Sequence, residues 1–182
     1  MVTWTSSSNF TTTATSATRT SSGSPSYSAY AQTDPQTSGT VWIQGKLSEY
    51  GYDKNSIIGL GTQSGGVASP NTPDPFFCLY QTGSAGNLWA ININGVNEEN
   101  DQSMSDGDVF KLEYNFSTGA FNLYQNGTVV TARTGYSQTS LSGVIGGKVT
   151  DAGAYDITMS GDSPPPSGDT LLLPPPYSEV VF

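Results

Sequence analysis

Histidine is absent from this sequence, and cysteine occurs once, as Cys78. Without histidine the chain lacks the commonest general base, the partner of a Ser-His nucleophile pair and a usual ligand of zinc. With a single cysteine no disulfide can form within the chain. Cys78 lies in the apolar run FFCLY, where a free cysteine packs as a small hydrophobic residue, so we expect a buried, unreactive thiol. These absences argue against an enzyme, and we expect no metal and no cofactor.

Charge is also scarce. Charged residues make up only 12% of the chain, against about a quarter in globular proteins. Six lysines and arginines stand against fifteen acidic residues, a formal net charge of -9. So few cations cannot supply the clustered phosphate contacts of a nucleic-acid-binding protein, and anionic membranes should repel the chain. No apolar run is long enough to cross a bilayer. We therefore expect neither nucleic acid nor membrane as a partner.

The polar surface must come from Ser, Thr, Asn, Gln and Gly, a composition more typical of extracellular or virion proteins than of cytosolic enzymes. The opening segment MVTWTSSSNF has neither the basic start nor the apolar core of a Sec signal. A structural protein of a virus or phage reconciles both observations, because it reaches the outside by assembly and lysis. We expect a location on the virion surface. A domain of a longer secreted protein, with an extracellular location, is the alternative.

What the sequence does contain is a series of β-strand patterns, the clearest from Asp106 to Thr134. Apolar and polar residues alternate up to the turn Ser117–Gly119 and again up to Asn126-Gly127, a pair that tolerates the positive φ angles of a type I′ hairpin. The segment predicts three antiparallel strands. Glu113 stands alone on the outer face of the first.

Further strands are predicted on the same grounds. They lie within residues 2–20 (one or two Thr-rich strands), at Tyr27–Ala31, Val41–Leu47, Ile57–Gly61, Phe76–Tyr80, Trp89–Ile93, Leu141–Val149 and Ala154–Met159. Asn94-Gly95 is a second hairpin signal. Short strands separated by turns, without any helical pattern, predict an all-β sandwich or barrel.

An acidic loop is predicted at Asn97–Asp106. Extended to Asp108, it offers many oxygen ligands of the kind that calcium prefers, but its spacing does not match an EF-hand loop. A solvated acidic loop is the simpler interpretation, and the sequence leaves the calcium question open.

The composition changes at Gly161, which divides the chain into a domain, residues 1–161, and a tail, residues 162–182. Six prolines keep the tail out of a central β-ladder and favour an extended or polyproline conformation. Plain disorder would not require the apolar side chains that the tail also carries. We expect a docking peptide that binds virion proteins, sister subunits of a homo-oligomer or its own domain, through Leu171, Leu172, Leu173, Pro175, Tyr177, Val181 and Phe182. Its PPPY run also resembles a WW-domain ligand, although a stiff spacer is the more ordinary interpretation.

The order of these segments resembles a concanavalin A-like jelly roll of the SPRY-like kind, found in surface and phage proteins. The resemblance covers most of residues 2–160 and rests on VTW, the strand at 39–47, IIGLG, FFCLY, LWAININGVN and, above all, GDVFKLEYNFSTGAFNLYQNGTVV. It implies two stacked antiparallel sheets, and recognition of glycans or protein partners through loops at one edge. Legume-type lectins of this fold hold a metal pair with acidic and Asn ligands, an arrangement that this sequence does not clearly repeat.

A glycan site in such a sandwich uses aromatic faces for stacking and Asp or Asn side chains for hydroxyl groups. The polar, aromatic segment around residues 49–55 has this chemistry, and Trp42 lies on the non-core face of the strand before it. The candidate ligand-binding residues are therefore Trp42, Tyr50, Tyr52, Asp53 and Asn55. The alternative is that these aromatic residues cover a sheet surface or a subunit contact.

Glycoside hydrolysis would need two carboxylates flanking the sugar, and glucanases of this fold carry Glu-x-Asp-x-Glu or a close variant. Neither Asp106-Gly107-Asp108 nor Glu113 provides that pair. Our first hypothesis is a non-catalytic virion component, such as a capsid decoration, spike or fibre protein, whose jelly roll faces outward. The alternative is a carbohydrate-binding, lectin-like module of a secreted or surface protein.

Overall fold

The computed structural model describes residues 4–6, 9–21, 30–48, 56–62, 77–82, 88–148 and 150–160. Within these ranges the chain forms strands and turns, and no helix long and apolar enough to span a membrane occurs. The strands are β1 (Trp4–Ser6), β2 (Phe10–Thr12), β3 (Ala17–Arg19), β4 (Tyr30–Thr33), β5 (Thr40–Leu47), β6 (Ile57–Gly61), β7 (Phe77–Thr82), β8 (Leu88–Ile93), β9 (Val96–Ser103), β10 (Val109–Asn115), β11 (Ala120–Gln125), β12 (Thr128–Arg133), β13 (Ser142–Gly146) and β14 (Gly153–Met159).

The strands form two seven-stranded sheets in which neighbours are antiparallel. The first sheet has the order β1-β4-β13-β6-β7-β8-β9, and the second has the order β12-β11-β10-β5-β14-β3-β2. Six of the twelve neighbouring pairs, such as β5 with β10, join strands that are not consecutive in the sequence. The all-β, two-sheet antiparallel sandwich that the sequence predicts is confirmed.

The core lies between the two sheets and is built from the alternating apolar positions of both. Phe77 of β7 stacks on Phe121 of β11, with ring centroids 4.1 Å apart and planes 3° apart. Trp89 of β8 packs edge to face against Phe110 of β10, with ring centroids 6.0 Å apart. Because burial of each such side chain contributes roughly 1.5–3 kcal/mol, contacts of this kind hold the two sheets together.

Both predicted Asn-Gly hairpin turns are present. Asn94 and Asn126 have φ of 52°, and the glycines that follow them have φ of 80° and 79°. Asn126 also fastens the start of β10, because its Oδ1 accepts from Val109 N at 2.9 Å and its Nδ2 donates to Asp108 Oδ1 at 2.7 Å. The strands β10, β11 and β12 pair in sequence, as the three-strand pattern predicts.

Two predicted strand boundaries are wrong. The described part of residues 2–20 contains three short strands rather than one or two, because Thr13 N donates to Ser16 O at 2.9 Å and the two hydroxyls hydrogen-bond each other, which closes a turn inside the Thr-rich run. The strand predicted at Leu141–Val149 is only β13, which ends at Gly146. The carbonyls of Gly147 and Lys148 turn instead to the buried guanidinium of Arg19.

The prediction of an acidic loop at Asn97–Asp106 is also wrong, because most of this segment is the strand β9. It pairs with β8, with Trp89 opposite Gln102 and Asn92 opposite Asn97. As the last strand of its sheet, β9 pairs on one side only. Acidic residues suit such an edge, since their charges discourage a further strand from adding to it.

The predicted burial of Cys78 is confirmed. The thiol is fully buried, and burial raises its pKa to about 12. Cys78 belongs to a second, smaller apolar cluster with Ile57, Tyr80, Ala90 and Val144, separate from the main core. The predicted domain boundary at residue 161 and the tail at 162–182 lie outside the described residues.

Candidate functional site

The second sheet has one apolar face and one polar face. On β5, Val41, Ile43 and Leu47 are buried, whereas the alternating residues Trp42, Gln44 and Lys46 are partly exposed. The same alternation runs through β10 and β11. Six partly exposed residues of these three adjacent strands form a patch that we call the outer platform: Trp42, Gln44, Lys111, Glu113, Asn122 and Tyr124.

The strand register arranges the outer platform in two rows. One row is Trp42, Glu113 and Asn122, which lie directly opposite one another on β5, β10 and β11. The other is Gln44, Lys111 and Tyr124 on the same strands. Residues opposite each other in antiparallel strands have Cβ atoms about 4.5–5.5 Å apart, so each side chain of β10 is within reach of its partners on β5 and β11.

Lys111 joins the two aromatic residues of the outer platform. Its ammonium lies 5.3 Å from the ring centroid of Trp42 and 5.1 Å from that of Tyr124. A cation over the face of an aromatic ring is attracted by about 0.5–1 kcal/mol at an exposed site. The two rings therefore stand on either side of a fixed positive charge.

Glu113 supplies the matching negative charge. Its Oε2 accepts from Lys111 Nζ, and its Oε1 accepts from Tyr124 Oη at 3.2 Å. Partial burial opposes ionisation of Glu113, but the hydrogen bonds from Lys111, Tyr124 and Asn122 and the charge of Lys111 outweigh it and hold its pKa below the ordinary range. At neutral pH the outer platform therefore carries an ionised acceptor beside an ammonium donor.

Tyr124 stays protonated under the same conditions. Burial, and then the charge and hydrogen bond of Glu113, raise the pKa of its phenol. Its hydroxyl is a neutral donor to Glu113, and the ring remains an uncharged, partly exposed surface. Such a face offers ring contacts together with hydrogen-bond donors and an acceptor, a set that suits a polyhydroxylated ligand.

A second ion pair extends the polar face toward β14. Lys46 Nζ lies 2.8 Å from Asp156 Oδ2 and 5.7 Å from the ring centroid of Tyr155. The pairing of β14 with β5 is irregular between Tyr155 and Thr158, and Asp156 has a φ of 52°. Such bulges bend a strand and redirect its side chains. The irregularity in β14 therefore marks the limit of the regular polar face on this side of β5.

Glu113 and Asp108 do not have the pKa pattern of a catalytic carboxylate pair. A glycosidase needs a general acid of raised pKa, but the pKa of Glu113 is lowered. Asp108, although burial opposes its ionisation, also has a lowered pKa, because Asn126, Ser105 N and Gln125 all donate to it. Asp108 thus stabilises the turn between β11 and β12 by accepting hydrogen bonds from Gln125 and Asn126. Within the described residues no group of three or more acidic, Cys or His side chains is placed to hold a metal ion.

Of the predicted ligand-binding residues, the structure places Trp42 on the outer platform. Tyr50, Tyr52, Asp53 and Asn55 lie outside the described residues, as do the tail residues Leu171, Leu172, Leu173, Pro175, Tyr177, Val181 and Phe182. The sequence analysis did not select Gln44, Lys111, Asn122 or Tyr124. The alternation of β10 and β11 puts Lys111, Glu113, Asn122 and Tyr124 on one face, but only the pairing with β5 brings Trp42 to them.

Comparisons with known proteins address the fold. Neither a protein-family model nor a curated protein matches the sequence. Among solved structures, the SPRY domain of human HERC1 is similar with a TM-score of 0.59 and 13% identity, over 82% of this chain and 91% of that one. The carbohydrate-binding module CBM66 from Bacillus subtilis has a TM-score of 0.52 and 13% identity, over 87% and 96%. The alginate lyase AlgAT5, of polysaccharide lyase family 7, has a TM-score of 0.51 and 15% identity, over 85% and 82%.

These similar structures are concanavalin A-like sandwiches, and they include SPRY and carbohydrate-binding domains as well as an enzyme. At such low identity they show the fold alone. The chain thus has the concanavalin A-like, lectin-like jelly-roll fold, which confirms the resemblance inferred from its sequence.

Proposed function

We propose that this chain is a non-catalytic carbohydrate-binding domain whose ligand lies on the outer platform. The observation that carries the proposal is the placement of the Lys111 ammonium between the rings of Trp42 and Tyr124, with Glu113 bonded to both Lys111 and Tyr124. Aromatic rings contact the apolar faces of sugars, and charged groups hydrogen-bond their hydroxyls more strongly than neutral groups do.

The charge balance of the outer platform favours an uncharged glycan. Lys111 and Glu113 form an ion pair, so the patch has no net charge of its own. The whole chain carries -9, which would repel a polyanionic ligand. Neutral hydroxyl groups can use both the donor and the acceptor of the pair without being repelled.

The fold supports this class of function, because the carbohydrate-binding module CBM66 shares it. Since the alginate lyase also shares it, the fold does not separate binding from catalysis. The chemistry of the patch favours binding. Its one carboxylate, Glu113, has a lowered pKa and cannot hold the proton that a general acid must deliver at neutral pH.

A glycan array followed by calorimetric titration of the strongest neutral glycan tests the proposal. We expect Trp42→Ala to weaken binding by about tenfold or more, the usual effect of losing an aromatic anchor. Thr11→Ala is the matched control, because Thr11 is exposed on β2 at the far edge of the same sheet. Binding of no glycan, or equal binding by the two variants, would refute the outer platform as a glycan site.

We also propose, from the sequence, that the tail at 162–182 attaches the domain to virion proteins or to sister subunits, on a virion surface or, for a secreted protein, outside the cell. The support is the apolar, proline-rich composition of the tail beside a polar, charge-poor domain. Deletion of residues 171–182 should leave a soluble, folded domain that no longer assembles, as measured by light scattering and circular dichroism. Full assembly of the truncated chain would rule out the docking role.

A further inference from the structure

The Gln44–Lys111–Tyr124 row of the outer platform continues onto β12. Val129 lies directly opposite Tyr124 in the pairing of β11 with β12. Because the residues of such a pair share a face of the sheet, Val129 stands beside the ring of Tyr124, on the side away from Lys111. Its exposed fraction is 49%, so its side chain is accessible to a group that extends beyond Tyr124.

A bulge places a second exposed valine next to Val129. Leu123 pairs with Thr131 and Tyr124 pairs with Val129, so β12 contains one extra residue, Val130, which is 39% exposed. Bulges at sheet edges interrupt regular pairing and redirect side chains. An interrupted edge is a poor template for another strand, so we attribute the two exposed valines to contact with a ligand rather than to sheet extension.

Exposed aliphatic side chains are rare in the part of the chain that the structure describes. Among the described residues only Val96, Val129 and Val130 are large, hydrophobic and exposed. Val96 lies on β9, in the other sheet. The valine pair therefore stands out against a surface rich in Thr, Ser and Asn, and it borders the hydrogen-bonding groups of the outer platform.

We infer that the glycan bound by the outer platform carries acetyl groups, and that the methyl of one acetyl packs on Val129 and Val130. This inference rests on the proposed function and narrows its ligand class. Hydroxyl and amide groups of the sugar would hydrogen-bond to Lys111 and Glu113. The acetyl methyl would exclude water from the two valines, which a sugar with hydroxyl groups alone would leave in contact with solvent. Burial of one methyl-sized group raises affinity by about fourfold.

The test compares two oligosaccharides of equal length and linkage, chitohexaose and cellohexaose, which differ by an acetamido group in place of a hydroxyl. Calorimetric titration should show tighter binding of the acetylated chain by about fourfold for each methyl that is buried. Val129→Thr keeps the shape of the side chain but makes it polar, so it should remove most of this preference and leave the affinity for cellohexaose unchanged. Val96→Thr is the matched control and should keep the full preference.

The outcomes separate the two proposals. Equal affinity for both oligosaccharides, or an undiminished preference in Val129→Thr, overturns the acetyl contact while carbohydrate binding on the outer platform stands. If neither oligosaccharide binds and the array shows no other glycan that depends on Trp42, both proposals fail. A preference lost in Val129→Thr and retained in Val96→Thr supports both.

Discussion

Lys111 and Glu113, two residues apart on β10, form an ion pair on the polar face of the second sheet. Residues at this spacing in a strand point to the same side. The side chains are 27% and 20% exposed, so solvent screens the pair only in part. The pair is the centre of the outer platform, so ionisation of Glu113 should affect the stability of this face and the binding that we propose for it.

The lowered pKa of Glu113 predicts a loss of stability in acid. Because the folded state has the lower pKa, the stabilisation by the carboxylate is complete above the pKa of the unfolded chain, about 4.3. It disappears as the pH falls through the folded pKa. Urea unfolding between pH 7 and pH 3 should show this decrease, and glycan affinity should fall in the same window.

Glu113→Gln should reduce the pH dependence of the free energy of unfolding, because the amide does not titrate. A residual slope should remain, since Asp108 also has a lowered pKa and titrates in the same range. If the free energy of unfolding of Glu113→Gln changed with pH as steeply as that of the parent protein, the ion pair would make no contribution to stability.

Gly119 should tolerate no side chain. Its φ is +64°, and a Cβ would overlap the carbonyl oxygen of Tyr136. Gly127, with φ of +79° and open space around it, is the matched control. In both alanine variants the positive φ should lower the free energy of unfolding by about 1–2 kcal/mol. In Gly119→Ala the overlap should lower it by roughly a further 1–3 kcal/mol. Denaturant unfolding measures both, and equal losses would contradict the clash.

Arg19 should stabilise the loop that follows β13. The side chain is 1% exposed, and its Nη1 donates to the carbonyls of Gly147 and Lys148. Arg19→Met should lower the free energy of unfolding by about 2–4 kcal/mol, because buried carbonyls lose their donor. Arg133→Met is the control, since Arg133 is 39% exposed and its ion pair with Glu98 spans 3.9 Å, and we expect a cost within about 1 kcal/mol.

Cys78 should resist thiol reagents in the folded protein. Burial raises its pKa to about 12, so the reactive thiolate is scarce at pH 8 and the sulfur is shielded. A chromogenic disulfide reagent should react with one thiol only after unfolding in guanidinium. Rapid labelling of the native protein would show that the region around Cys78 opens easily.

Local features of the fold are predictable from the sequence. The alternation in Val109–Asn115 and the two Asn-Gly turns depend on neighbouring residues alone, and all appear in the structure. The error at Asn97–Asp106 has a tertiary cause. An acidic segment has low strand propensity, but pairing with β8 supplies hydrogen bonds that outweigh it.

The sequence by itself determined the all-β class, the Asn-Gly turn after β8, the hairpins of β10–β11–β12 and the burial of Cys78, because each depends on side-chain periodicity and turn chemistry within a few residues. Only the tertiary structure decided that β5 pairs with β10, which places Trp42 beside Glu113 and Gln44 beside Lys111. Strand order and bulges are set by packing between distant segments, which a local pattern does not encode. The candidate site therefore becomes visible only when distant strands are placed side by side.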